Sequence, residues 1–144
     1  MLGLAACTSP EPPTRDNATT GPASPAGPTA INHMIAGYAA QYDVPADLVH
    51  RVVRRESSYN PAARNGPNLG LMQIQAPTAR TMGFQGAAEQ LFDADTNLRF
   101  GVKYLRGAWI VAQGDPDQAM RLYQRGYYYD AKRMGLLRET GLAR

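Results

Sequence analysis

The chain has 144 residues, of which 44% are hydrophobic and 19% charged, so it is large enough for one packed domain of modest size. Its formal net charge of +3 is a mild positive balance that suits an anionic polymer as partner. Zinc-finger spacing, an aromatic and basic sheet motif and a clustered basic helix are all missing, which disfavours nucleic acid as that partner. With one cysteine and two histidines, the chain excludes a structural zinc site and an internal disulfide, and we expect no metal and no cofactor. No apolar run approaches the ~20 residues of a membrane-spanning helix.

Residues 1–28 differ in composition from the rest of the chain. Residues 1–30 hold six of the eleven prolines, whereas all twelve aromatic residues lie from Tyr38 onward. A segment of this composition cannot bury enough apolar surface to fold. We therefore predict a disordered tether over 1–28 and a folded domain over 29–144.

Leu4-Ala5-Ala6-Cys7 resembles the lipobox of bacterial lipoproteins, in which a signal peptidase cuts before the cysteine and a lipid is attached to it. Only six residues precede Cys7, and they include neither a basic region nor a full apolar stretch. Two interpretations follow: the sequence begins inside a signal peptide, or the match is a coincidence. Under the first, a lipid on Cys7 anchors the protein to a membrane of the cell envelope.

Two helices are predicted before residue 57. Apolar residues at helical spacing from Ile31 to Tyr42 predict the first one. After Val44-Pro45, where the proline suits a first helical turn, a second helix carries four apolar residues on one face: Leu48, Val49, Val52 and Val53. Turn residues then predict a loop over 57–69.

The second half of the chain is predicted to be helical as well. Short helical pieces are expected near 70–75, 77–83 and 87–92. Asp95 is expected to cap a long central helix, and Asp115-Pro116 to begin another that runs to about Gln124. A last helix is expected over Tyr128–Leu137. Because no alternating run of β-branched residues is present, the predicted fold class is all-α.

Glu56 has an unusual position in the second predicted helix. It follows the four apolar residues of that helix at helical spacing and therefore projects from their face. It also lies in the last turn, where the helix dipole disfavours a carboxylate. Both effects favour a carboxyl that keeps its proton near neutral pH, which protonation of a leaving group requires. The alternative is that Glu56 turns out to solvent or pairs with an arginine.

Four segments resemble, in the correct order, the motifs of lytic transglycosylases with a lysozyme-like catalytic domain. They read ESSYNPAA over 56–63, GLMQIQAPTA over 70–79, DTNLRFGVKYL over 95–105 and YQRG over 123–126. The resemblance covers roughly Thr29 to Gly135. It implies an all-α, lysozyme-like fold and a peptidoglycan substrate.

The resemblance also implies roles for the residues nearest the chemistry. Glu56 would be the sole catalytic acid and base, and Ser57 would support its turn and surroundings. Tyr123 would place its hydroxyl near the Glu56 carboxyl. Gln124 stands where the family has asparagine, so its role stays open.

Four consecutive residues would shape the substrate groove: Gly70, Leu71, Met72 and Gln73. Of these, Gln73 can form a hydrogen bond with the N-acetyl group of a sugar, whereas Met72 is at least as well explained as an ordinary core residue. The rings of Tyr127, Tyr128 and Tyr129 could stack on sugars, although one or two of them fit better as packing residues.

We therefore expect a peptidoglycan lytic transglycosylase that leaves a 1,6-anhydro end on N-acetylmuramic acid. Ordinary glycosidases need a second carboxylate about 5–10 Å from the acid, and the nearest candidates, Asp93 and Asp95, fit helix caps better. Two alternatives remain open: a lysozyme-type muramidase, in which water completes the reaction, and a cell-wall-binding or assembly module of a secretion apparatus. Glycan strands are the expected partner of a periplasmic monomer.

Overall fold

The computed structural model describes residues 27–143, which form six α-helices, a small hairpin and one 3-10 helix. The α-helices are α1 (Pro28–Tyr42), α2 (Ala46–Ser57), α3 (Ala76–Thr81), α4 (Ala94–Val111), α5 (Pro116–Arg125) and α6 (Tyr128–Met134). The antiparallel hairpin pairs β1 (Arg64–Asn65) with β2 (Asn68–Leu69), and the 3-10 helix spans Ala88–Phe92. The all-α prediction is confirmed. The lipobox-like segment and nearly all of the predicted tether lie outside the described residues.

Helix α4 is the centre of the fold and contacts α1, α3, α5, α6 and the 3-10 helix. Its inward face repeats apolar residues every three or four positions, as the sequence predicts, and Leu98, Val102 and Leu105 are fully buried. Neighbouring elements approach this face closely, since the side chain of Tyr127 packs against Gly107 where a Cβ atom would collide with it. Burial of this stripe holds the long central helix in place.

The start of α4 corrects one prediction. Asp93, and not Asp95, caps the helix, because its Oδ2 accepts the N–H of Thr96 at 2.9 Å and the Thr96 hydroxyl at 2.8 Å. Asp95 instead accepts a hydrogen bond from the Tyr38 hydroxyl at 2.8 Å, which ties α4 to α1. Aspartate is a common capping residue at either position, and the structure begins α4 at Ala94, which places Asp93 at the cap and Asp95 in the first turn. The predicted cap of α5 at Asp115 is confirmed.

The prediction of a helical piece over 70–75 is wrong. Gly70 and Gln73 adopt positive φ angles of 72° and 49°, and the chain folds back so that Leu69 and Ile74 form a β-bridge. The loop predicted over 57–69 likewise contains the short hairpin. The last helix ends at Met134 and not at Leu137, because Gly135 takes a left-handed φ of 72° and caps it.

A second, smaller core lies around α3, apart from the main core of α1, α2, α4 and α5. It consists of six buried side chains: Leu69, Ile74, Ala76, Ala79, Phe84 and Leu91. In the part of the chain that the structure describes, no helix is both long and apolar enough to cross a bilayer.

Candidate active site

Glu56 lies half-buried in the last turn of α2, directly before a sharp change of chain direction. The helix ends because Ser58 and Tyr59 both take left-handed φ angles, 50° and 62°. Such a conformation costs a non-glycine residue about 1–2 kcal/mol, so it needs support from its surroundings. The Tyr59 hydroxyl lies 2.9 Å from Nδ1 of His50, and this contact holds the turn against α2. The position of Glu56 is therefore fixed from both sides along the chain.

Segment 69–73 is attached to both α2 and α5 by side-chain hydrogen bonds. The Ser57 hydroxyl donates to the carbonyl oxygen of Leu71 at 2.7 Å, and the Tyr123 hydroxyl donates to that of Met72 at 2.8 Å. The side chains of Leu71 and Met72 are themselves fully buried in the core. Neither residue lines the cavities described below, and the core interpretation of Met72 agrees with its burial.

Asn97 holds the same segment from the side of α4. It is fully buried, its Nδ2 donates to the carbonyl oxygens of Leu69 at 2.8 Å and Leu91 at 2.7 Å, and its Oδ1 accepts the N–H of Met72 at 2.8 Å. Gly70 fits closely here, since a Cβ atom would collide with the Asn97 amide. Sequence reasoning gave Asn97 no role, because it lies outside the apolar stripe of the predicted central helix.

The side-chain amide of Gln73 is held in place by two hydrogen bonds to the backbone. Its Nε2 donates to the carbonyl oxygens of Ala63 and Gly70, both at 3.0 Å. Because both bonds use the amide nitrogen, the amide oxygen is the atom that Gln73 has left for a ligand. This oxygen can accept a hydrogen bond. In the predicted hydrogen bond to an N-acetyl group, Gln73 would therefore be the acceptor.

A cavity of about 200 Å³ lies between segment 73–78 and the end of α5. Nine residues line it: Gln73, Ile74, Gln75, Thr78, Tyr104, Tyr123, Gln124, Arg125 and Gly126. Glu56 is not one of these nine residues but contacts one of them, because Nε2 of Gln124 donates to Oε1 of Glu56 at 3.1 Å. Gln124, whose role the sequence left open, is therefore the residue that links the cavity to the carboxyl.

Tyr123 connects this cavity to the core. Burial raises the pKa of Tyr123 well above its ordinary value, and the charges of Glu56 and Tyr104 raise this pKa further. The hydroxyl therefore keeps its proton and stays a donor. It donates this proton to Met72 and not to the Glu56 carboxyl, although the effect of Glu56 on its pKa agrees with the predicted proximity of the two groups.

The three consecutive tyrosines have different environments. Tyr127 is fully buried, and its hydroxyl donates to the carbonyl oxygen of Tyr104 at 2.7 Å, which makes it a packing residue. Tyr128 and Tyr129 are 43% and 73% exposed. Only these two rings remain available to a ligand.

Neither of the candidate second carboxylates lines the cavity at Glu56. Asp93 caps α4, and Asp95 is bonded to Tyr38, as described above. Within residues 27–143, no cluster of three histidine, cysteine, aspartate or glutamate residues is arranged to hold a metal ion.

Comparison with known families agrees with this geometry. Residues 33–133 match the family described as Transglycosylase SLT domain. The chain belongs to this family. The predicted family membership is thus confirmed, and the matched region of the SLT domain contains the Glu56 turn, segment 69–73, Asn97 and Gln124.

Two curated relatives resemble parts of this SLT domain. The "Membrane-bound lytic murein transglycosylase E" of Buchnera aphidicola subsp. Acyrthosiphon pisum is 37% identical over 82 residues, which is 51% of this chain and 37% of the relative. The "Membrane-bound lytic murein transglycosylase F" of Shewanella woodyi is 43% identical over 54 residues, 37% of this chain and 10% of the relative. The matches therefore cover well under two thirds of either relative.

Proposed function

We propose that this SLT domain is a peptidoglycan lytic transglycosylase with Glu56 as the sole general acid and base. It would cleave the β-1,4 bond between N-acetylmuramic acid and N-acetylglucosamine. The observation that carries the proposal is the half-buried Glu56 carboxyl, bonded to Gln124 at the edge of the cavity. Membership of the family and the names of the two relatives support the substrate class.

The proposed reaction uses one proton, which Glu56 gives and then takes back. Glu56 first donates its proton to the glycosidic oxygen as the bond to the anomeric carbon of N-acetylmuramic acid breaks, with the acetamido group of that sugar assisting. The ionised carboxylate then takes the proton of the C6 hydroxyl as its oxygen bonds to the anomeric carbon. The product is a 1,6-anhydro sugar. The attacking hydroxyl belongs to the same sugar, so proximity favours it over water.

Gln124 and Ser57 act in this scheme as positioning residues. Gln124 occupies Oε1 of Glu56, which leaves Oε2 as the oxygen that exchanges the proton. The N–H donor also stabilises the carboxylate that exists between the two steps. Ser57 joins the same helical turn to the Leu71 carbonyl, so the carboxyl and segment 69–73 keep a fixed separation.

The groove residues supply contacts with the substrate. The amide oxygen of Gln73 would accept the N–H of an N-acetyl group, since its two N–H groups are already donated to the backbone. Gly70, Leu71 and Met72 would act through the shape of the backbone, and Tyr123 through its hold on the Met72 carbonyl.

The muramidase alternative differs only in the second step, where water would attack in place of the C6 hydroxyl. An enzyme of that type uses a second carboxylate to activate water or to bond with the sugar. The use of Asp93 as a helix cap and of Asp95 as the partner of Tyr38 therefore favours the transglycosylase. The third hypothesis is a wall-binding module. Such a module needs a groove that binds glycan, but it needs no catalytic carboxyl such as Glu56.

We further propose that the protein acts as a monomer in the cell envelope, on the periplasmic side. Glycan strands are its expected partner. A lipid on Cys7, which lies outside the described residues, would hold it at a membrane.

Digestion of purified sacculi followed by mass spectrometry tests the reaction. We expect products about 18 Da lighter than those of hydrolysis, the mass of one water molecule. Glu56→Gln should lower turnover by orders of magnitude because an amide cannot donate the proton. Glu89→Gln, at an exposed glutamate of the 3-10 helix, is the matched control and should retain full activity.

Each arm of this experiment can overturn a part of the proposal. Products that carry only hydrolysed reducing ends would favour the muramidase. Near-normal release by a folded Glu56→Gln protein would remove Glu56 from its role. Binding of sacculi with no cleavage by the unsubstituted protein would favour the wall-binding module.

A further inference from the structure

The cavity beside Glu56 has two neighbours with which it is linked by shared lining residues. Three residues line both this cavity and a neighbouring one of about 260 Å³: Thr78, Tyr104 and Gly126. Four more line both that neighbour and a third cavity of about 340 Å³: Pro77, Thr81, Tyr128 and Leu142. The second and third cavities, lined by α3, Tyr128 and residues 141–143, are called here the α3 branch.

The walls of the α3 branch are fixed by contacts of their own. Ala79 of α3 is fully buried, and just beyond the helix the Met82 carbonyl oxygen accepts a hydrogen bond from Nζ of Lys103 at 2.9 Å. On the opposite wall, the N–H of Leu142 donates to the carbonyl oxygen of Leu137 at 2.8 Å. These contacts tie both walls of the branch to the rest of the domain.

Among residues 27–143, Arg80 is the one charged side chain that lines the α3 branch, and no aspartate or glutamate of this range lines it. Arg80 is exposed and forms no ion pair or side-chain hydrogen bond with any residue of the described range 27–143. Four other arginines do pair with aspartates: Arg51, Arg106, Arg125 and Arg133. A ligand that brings a carboxylate into the branch would complement Arg80.

The remaining surface of the branch suits a short peptide. The half-exposed ring of Tyr128, together with Pro77 and Leu142, offers apolar surface next to Arg80. A bare glycan presents mainly hydroxyl and N-acetyl groups, which need polar partners. The peptide stem on the lactyl group of N-acetylmuramic acid presents small aliphatic side chains and free carboxylates.

We propose that the α3 branch binds the peptide stem of peptidoglycan, with Arg80 pairing with a stem carboxylate. The inference rests on the proposed function, because it assumes that the cavity at Glu56 holds the glycan from which the stem extends. It makes the stem, and not only the sugar backbone, a determinant of which strands are cut.

The test compares soluble glycan strands that carry tetrapeptide stems with the same strands after an amidase has removed the stems. For Arg80→Ala we expect KM for the peptide-bearing strands to rise about 1.5- to fivefold, the range of one exposed ion pair, with kcat unchanged. Arg80→Glu should raise this KM further, whereas Arg80→Lys should retain most of the affinity. KM for the peptide-free strands should stay as in the unsubstituted protein.

Arg99→Ala is the matched control. Arg99 is an exposed arginine of α4 that lies near Tyr38 and lines none of these cavities, so its loss removes the same charge without touching the branch. An unchanged KM of Arg80→Glu on peptide-bearing strands would overturn the inference, as would an equal rise on both kinds of strand. Failure of the unsubstituted protein to cleave either strand would instead overturn the proposed function.

Discussion

Replacement of Asn97 by alanine tests whether segment 69–73 depends on a single buried amide. The side chain makes three hydrogen bonds of 2.7–2.8 Å to backbone groups of Leu69, Met72 and Leu91. A buried polar group left without a partner costs about 1–3 kcal/mol. Allowing for partial rearrangement, we expect Asn97→Ala to lower the free energy of unfolding by about 3–5 kcal/mol, a large share of the 5–15 kcal/mol typical of a domain.

Denaturation in urea and thermal melting measure this loss. For a domain of this size, about 4 °C of melting temperature per kcal/mol corresponds to a decrease of about 12–20 °C. Asn32→Ala, at an exposed position of α1, is the matched control and should change the free energy of unfolding by less than about 0.5 kcal/mol. Activity should fall more steeply than the folded fraction, because a loosened segment 69–73 no longer fixes the groove wall.

A small effect would refute this reasoning. If Asn97→Ala lowered the free energy of unfolding by less than about 1 kcal/mol, water or a shifted backbone would be replacing the amide. The segment would then be held mainly by Ser57 and Tyr123. A variant of normal stability and normal activity would remove Asn97 from the site altogether.

Three further predictions concern other contacts. Gly107→Ala should lower the free energy of unfolding by about 1–3 kcal/mol in urea denaturation, because the added methyl must displace the buried Tyr127; an unchanged value would contradict this packing. Burial and a hydrogen bond to an aspartate raise the pKa of Tyr38 to about 12, so its contribution to stability is complete below pH 10 and is lost as the pH rises to 12. Tyr38→Phe should therefore flatten the alkaline decline of stability, and an identical decline in both proteins would contradict the assignment. Gln124→Leu should lower kcat about ten- to hundredfold with little change in KM, because Glu56 loses its positioning donor; an unaltered kcat on sacculi would exclude that role.

Local patterns in the sequence are enough to predict most of the helical framework. Helices α1, α2 and α4 lie where apolar spacing predicts them, and α5 begins at its predicted cap Asp115, because both signals depend on residues within about four positions of one another. The unusual place of Glu56 was visible in the same way, since its position on an apolar face follows from helix geometry alone. Four motifs in the correct order were sufficient to predict the family.

The tertiary structure alone decided how these pieces meet at the site. Asp93 and Asp95 are alike as residue types, but the structure gives them different partners: Thr96 within α4 for Asp93, and Tyr38 of α1 for Asp95. Gln124 reaches Glu56 across 68 positions of sequence, and Asn97 reaches Leu69 across 28. Periodicity reports which face of a helix is buried, but a hydrogen bond between distant segments forms only once the packing of α4 has brought them together.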